Sequence, residues 1–206
     1  MKTIYRFILA AIVAIAGVAT ASAAETATQV MNRASSAFRG AKSITATFTM
    51  TGASGNMSGT FSMSGGKFAV VTSGASTWYN GRLMYSYNPQ TGETTLVAPT
   101  AAEVAESNPF SIIASMASQF TAAYAKQQPA GTTVLVLLPK SAKSNIKKVV
   151  LTLDKKRCVP KKVVMTHNGG TTTVSISQWA ANVKVAASTF EYPKSRYPKA
   201  RIVDLR

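Results

Sequence analysis

From Ser43 onward apolar and polar side chains alternate with a period of two. Ile44, Ala46, Phe48 and Met50 stand on one side of a predicted strand, Ser43 to Thr51, with Thr45, Thr47 and Thr49 on the other. Met57, Gly59, Phe61 and Met63 form the matching row, with Ser58, Thr60 and Ser62 opposite. Ser58 to Pro89 then reads as an antiparallel meander of short strands. Gly65-Gly66 and Ser73-Gly74 end strands within it, and Asn80-Gly81 is its strongest hairpin signal, because a type I′ turn needs positive φ at both central residues. Asn88-Pro89 and Thr91-Gly92 turn the chain back into Thr94 to Ala98. The apolar rows hold Phe and Met spaced by Gly and Ala. They describe either an ordinary half-buried sheet packed on a helix or a groove for a ligand that must repack, since methionine is flexible and polarizable.

Elsewhere the period lengthens. Thr26 to Ala41 reads as a helix, with Val30, Met31, Ala34, Ala37, Phe38 and Ala41 along one stripe. Thr100-Ala101-Ala102-Glu103 is a capping-box pattern that opens a short helix over Ala101 to Glu106. Asn108-Pro109 restarts a helix, and the apolar run Phe110 to Tyr124 continues it, either as a core element or as a lid. After the turn at Pro129-Ala130-Gly131 the strand pattern returns. Thr132 to Leu138 is apolar on both faces and is expected to be central or doubly covered. Ile146 to Leu153, Val159 to Thr166 and Thr171 to Trp179 are further strands, joined by turns at Asp154-Lys155-Lys156-Arg157 and Asn168-Gly169-Gly170. Val183 to Pro193 reads as a last extended piece, and Arg201 to Arg206 as a tail.

The first residues do not belong to this pattern. A basic start (Lys2, Arg6), an apolar stretch from Phe7 to Val18 and Ala21-Ser22-Ala23 make a secretory signal peptide, residues 1–23, with cleavage near Ala23. Residues 24–206 suit a single exported domain. The one cysteine, Cys158, has no internal disulfide partner and is expected to be either buried or merely tolerated. The mature chain carries 21 basic against 7 acidic side chains, and 16 of the basic ones lie from Lys126 onward, against 3 acidic. Such a field bears on partners rather than on fold. Anionic lipid head groups and acidic protein faces suit it, and so does plain solvation; an exported chain without a nucleic-acid motif is not expected to bind nucleic acid.

Catalytic chemistry is poorly supplied. His167 is the single histidine and stands at a hairpin, the seven acidic residues show no paired spacing, and one Cys with one His makes no metal site. The chain is read as not an enzyme, with no cofactor and no metal.

Ala46-Thr47-Phe48-Thr49, Ser58-Gly59-Thr60-Phe61, Lys67-Phe68, Gly81 through Tyr87-Asn88-Pro89, Asn108-Pro109-Phe110 and Phe190-Glu191-Tyr192-Pro193, in this order after a signal peptide and a short helix, resemble the LolA family of periplasmic outer-membrane lipoprotein carriers. The resemblance implies an α+β fold: a strongly curved antiparallel sheet, a half-barrel, with helices forming a lid over an apolar cavity. It implies a monomer that takes lipoprotein acyl chains from an inner-membrane transporter and hands them to an outer-membrane receptor. On this scaffold the expected lipid-binding residues are Phe48, Met50, Phe61, Met63, Phe68, Trp78 and Met84 from the sheet and Ile112, Ile113 and Met116 from the lid. A sensor module that reads lipid or an envelope protein without transferring it is the alternative. One departure stands out. Family members often carry an Arg-Pro pair whose arginine helps hold the lid shut, and this chain has Ser64-Gly65-Gly66 there, with Arg82 the arginine nearby. The latch is therefore different or missing.

Overall fold

Strand β1 (Ser43–Gly52) lies in the middle of the sheet, with β2 (Gly55–Ser64) on one side and β11 (Gly170–Ala181) on the other. In this computed structural model residues 24–53, 55–108 and 110–206 are described; the predicted signal peptide and the helix-starting role of Pro109 lie outside them. Beyond β2 the meander continues through β3 (Lys67–Thr72), β4 (Ser76–Tyr79), β5 (Met84–Asn88) and β6 (Glu93–Val97). Beyond β11 come β10 (Pro160–His167), β9 (Ile146–Asp154), β8 (Thr132–Pro139) and β7 (Phe120–Tyr124). The twelfth strand, β12 (Arg201–Asp204), pairs with β6 in parallel, and every other pairing among the described residues is antiparallel. The sheet is an open half-barrel whose outermost strands are β12 and β7.

Three α-helices accompany it among the described residues. Helix α1 (Ala27–Gly40) starts as its sequence dictates: the Thr26 hydroxyl accepts from the Gln29 N–H, and the Gln29 side chain accepts from the Thr26 N–H. It buries Val30, Met31, Ala34 and Phe38. Helix α2 (Ala101–Ser107) has the expected Thr100–Glu103 capping box and buries none of its residues fully. Helix α3 (Ser111–Gln119) buries Ile113 and Met116.

Four expectations are corrected. The apolar run after Asn108 is not one helix to Tyr124: it ends at Gln119, and Phe120 to Tyr124 become β7. The edge of β8 offers five backbone partners there, and closing that ladder outweighs another turn of helix for a segment ending in an aromatic residue. Consequently β8 is second from an edge rather than central, and its Leu138 is half exposed. The segment after Val183 is not extended throughout but includes a short 3-10 turn over Ala187–Phe190, and the tail is strand β12. Finally, the two-residue turn with positive φ at both centres is Gly65-Gly66, at +57° and +78°. Asn80-Gly81 sits in a four-residue loop in which the Asn80 side chain accepts from the Arg82 and Leu83 N–H groups.

Two hydrophobic clusters form on opposite faces. The larger fills the concave side, from α1 and α3 across β1–β3 to β8–β11. The smaller, on the convex side, joins Ala69 and Trp78 to Phe190 and Tyr192 of the C-terminal segment. The Thr94 hydroxyl donates to the Tyr192 hydroxyl at 2.9 Å and anchors that segment to β6.

Candidate functional site

The predicted apolar rows meet across the sheet as their spacing requires. Ile44 pairs with Met63, Ala46 with Phe61, Phe48 with Gly59 and Met50 with Met57, all on the concave face. Gly59 is needed there for room as well: a Cβ on it would come within 2.5 Å of the Val71 carbonyl oxygen. Above this floor the lid contributes Phe110, whose ring stacks on Phe61 at 4.3 Å between centroids and meets Phe48 edge-on at 5.8 Å.

Of the ten predicted lipid-binding residues, Phe48, Phe61, Phe68, Met84, Ile113 and Met116 are buried in the concave cluster, and Met50, Met63 and Ile112 are partly buried against it. Trp78 is a correction. It pairs with Ala69 and Tyr85, while Phe68, Tyr79 and Met84 occupy the neighbouring register positions on the other face. Strict alternation therefore turns Trp78 outward, where it packs edge-on against Tyr192 at 5.6 Å. Two residues that touch the site were not on the predicted list. Phe110 was legible as an apolar residue of the lid. Trp179 was not legible, because a β-bulge in β11 opposite Thr47/Phe48 shifts the alternation by one. The shift brings the Trp179 ring inward, 6.2 Å from Phe110 and 6.1 Å from Phe38.

The lidded interior is not hollow. Phe110 occupies the middle of it, and open space remains as clefts around the lid. One, of about 430 Å³, lies beneath the end of α1, walled by Phe38, Ile44, Ile113, Pro160 and Trp179. Another of about 430 Å³ runs between α2 and α3 along Ile112 and Ile146. Each lies within the roughly 300–1,000 Å³ typical of small-ligand sites.

Polar bonds tie the helices to one another and to the sheet, where the Lys140 ammonium, just past β8, donates to the Ala117 carbonyl of α3 at 3.2 Å. The Ser35 hydroxyl on α1 donates to the Ala114 carbonyl of α3 at 2.8 Å, and Ser35 is fully buried. The Arg39 guanidinium donates to the same carbonyl at 2.9 Å and to the Ser35 hydroxyl at 3.1 Å. An arginine does hold the lid, therefore, but it comes from α1, one helical turn from its serine, and not from the sheet. At the other end of α1, Arg33 pairs with Glu25 at 2.8 Å, and the Tyr124 hydroxyl donates to the Glu25 carbonyl at 2.6 Å. The hydrogen bond from Arg33 holds the Glu25 carboxyl below its ordinary range and raises the guanidinium correspondingly. Cys158 is buried beside α1, and burial pushes its thiol up, away from reactivity. Among the described residues no group of three His, Cys, Asp or Glu side chains is placed to hold a metal.

An open half-barrel with an apolar concave face under helices defines a class of binding and carrier proteins. The family model described as outer membrane lipoprotein carrier protein LolA matches residues 18–170, and the chain belongs to that family. No curated protein matches it in sequence. Among solved structures it is similar to an uncharacterized conserved protein from Thermus thermophilus, with a TM-score of 0.57 and 12% identity over 85% of this chain and 97% of that one. That protein shares the fold. More distant likenesses are the lipoprotein LppX from Mycobacterium tuberculosis (TM-score 0.46, 12% identity, 78% of this chain and 97% of that one) and MucB in its complex with MucA from Pseudomonas aeruginosa (TM-score 0.46, 15% identity, 86% and 63%).

Proposed function

We propose that residues 24–206 form a single-domain periplasmic carrier that shelters lipoprotein acyl chains beneath α3 and moves them from the inner to the outer membrane. The observation that carries this reading is the seat of Phe110. The ring that fills the space above Phe61 comes from the lid and not from the sheet, so it leaves with the lid and hydrocarbon can take its place. Each buried CH₂ is worth ~0.8 kcal/mol, so a chain of roughly 16 carbons needs a refuge worth about 12 kcal/mol to leave a bilayer. The Phe and Met floor, with the flanking clefts, offers comparable apolar surface and not a much tighter grip, which lets the cargo go again. The family supports an inner-membrane transporter as donor and an outer-membrane receptor as acceptor.

The test is transfer. Mature protein purified from its own cell envelope is expected to carry acyl lipid detectable by mass spectrometry, and to move a radiolabelled lipoprotein from inner- to outer-membrane fractions. Phe110→Ala is expected to raise uptake of an apolar dye several-fold. Binding without transfer would leave a sensor module on the same scaffold, and the absence of both lipid and dye binding would overturn the proposal.

A further inference from the structure

The convex face of β8, β9 and β10 carries a pattern that the interior does not explain. Register places Ala123, Val136, Val150 and Val164 in one row across β7 to β10, all pointing away from the concave core. Val136, Val150 and Val164 belong to neither hydrophobic cluster. Leu138, on the same face of β8 two residues along from Val136, is 50% exposed. On either side of the valine row stands a lysine: Lys148 opposite Thr166, and Lys162 between Thr152 and Ser175. Both lysines are exposed. Rows two residues apart lie about 7 Å from one another, so aliphatic lysine stems lie along the valines while the ammonium groups reach outward.

Lysines commonly protect sheet edges, but β9 and β10 are interior strands and need no such protection. The turns at the two ends of the patch extend the charge, with Lys143 at one and Lys155, Lys156 and Arg157 at the other. From Phe120 to Gly170 there are ten basic residues and one acidic, Asp154, which is already paired with Lys161 at 3.5 Å. The same face of β1 and β2 is Thr and Ser.

We propose that the convex face of β8–β10 is a docking surface for an anionic phospholipid membrane. A shallow apolar row with flanking ammonium groups, whose one neighbouring carboxylate is already paired with Lys161, matches a bilayer surface, where hydrocarbon lies just beneath a negative layer. A protein partner would be expected to meet a rim of mixed sign and hydrogen-bonding groups instead. The surface is separate from the interior, so it holds whether or not the chain transfers cargo.

Vesicle co-sedimentation of the mature chain tests it. Binding is expected to vesicles of phosphatidylcholine with about a third phosphatidylglycerol, not to phosphatidylcholine alone, and to weaken steeply with salt. Lys148→Glu with Lys162→Glu is expected to lower affinity at least about thirtyfold, on the few-fold per charge that a lysine near an anionic surface contributes. The matched pair Lys42→Glu with Arg82→Glu, exposed on the other half, is expected to change it less than about twofold. Leu138→Ser is expected to weaken the part of the binding that survives high salt. Equal loss in the two charge-reversed pairs would mean that only net charge matters, and would overturn the proposal. So would equal binding to both vesicle types, or none to either, which would direct attention to an acidic protein.

Discussion

Inside the half-barrel, β1 to β5 present Phe48, Phe61, Phe68, Tyr79 and Met84, whereas β8 to β11 present Leu135, Leu137, Val149, Leu151, Leu153, Val163 and Val174. Outside, the contrast is of another kind: Thr and Ser on β1 and β2, Val and Lys on β8 to β10. Between Ala24 and Gln119 there are five basic and four acidic residues, against ten and one from Phe120 to Gly170. Branched aliphatic rows interdigitate closely, while the aromatic rows meet a ring, Phe110, that belongs to the lid and can leave with it. On the proposed function the aromatic half exchanges what lies in the interior, while the aliphatic half holds the shape and turns its outer surface to an anionic membrane.

The sharpest way to break this comparison is to remove one side chain from each half. Leu135→Ala is expected to cost about 2–5 kcal/mol in urea unfolding, since Leu135 is fully buried. Phe110→Ala is expected to cost under about 2 kcal/mol, well short of the 3–5 typical when a phenylalanine leaves a fixed core. A loss at Phe110 as large as that at Leu135 would make the ring a permanent member of the core and remove the distinction between the halves.

Much of the floor of the site was legible because period-two alternation needs no tertiary knowledge. Phe48 and Phe61 face inward wherever the strands pair, and the Thr100–Glu103 capping box announces its helix. Misreadings arose where alternation was interrupted or where distant pairing decided the outcome. Trp78 takes the other face because its parity depends on the register that the turn between β3 and β4 sets, with Ala69 opposite Trp78, and Asn80-Gly81 suggests a tighter turn than the one that forms. Trp179 was hidden by a bulge that a linear pattern does not mark. The change from α3 to β7 at Phe120 depends on an edge of β8 that only the assembled sheet presents, and the parallel pairing of β12 joins segments 108 residues apart, as between Arg201 and Glu93. Arg39 gave no sign of its role, since an exposed arginine near a helix end ordinarily complements the helix dipole.

A smaller effect distinguishes the lid from the wall behind it. Ser35→Ala removes the buried hydroxyl that donates to the Ala114 carbonyl, worth about 1 kcal/mol. The expected result is amide exchange about five-fold faster in α3, with β8 and β9 unchanged, because the bond fastens the lid and not the aliphatic wall. Exchange that quickens equally in both regions would mean that lid and wall open as one unit.

The smallest expected effect sets one carboxylate from each half against the other. Glu103 in α2 is held below its usual range chiefly by the Thr100 N–H, with the Thr100 hydroxyl second. Asp154 in the β9–β10 turn is lowered chiefly by the Arg157 N–H, with the charges of Lys161 and Arg157 adding to it. Both folded values lie under the unfolded ones. Each therefore contributes stability that is present above the unfolded carboxylate range and is lost as pH falls through the folded value. The local donors are alike, but the surroundings differ: Asp154 is the single negative group among ten positive ones. Salt screens that long-range attraction and leaves the backbone bonds in place. Raising salt is therefore expected to shrink the destabilisation caused by Asp154→Asn while leaving that of Glu103→Gln nearly constant, as read from thermal melts near neutral pH and below pH 4. Equal salt responses would show that the basic half exerts no field on its own turn, and would weaken the case that it exerts one on a membrane.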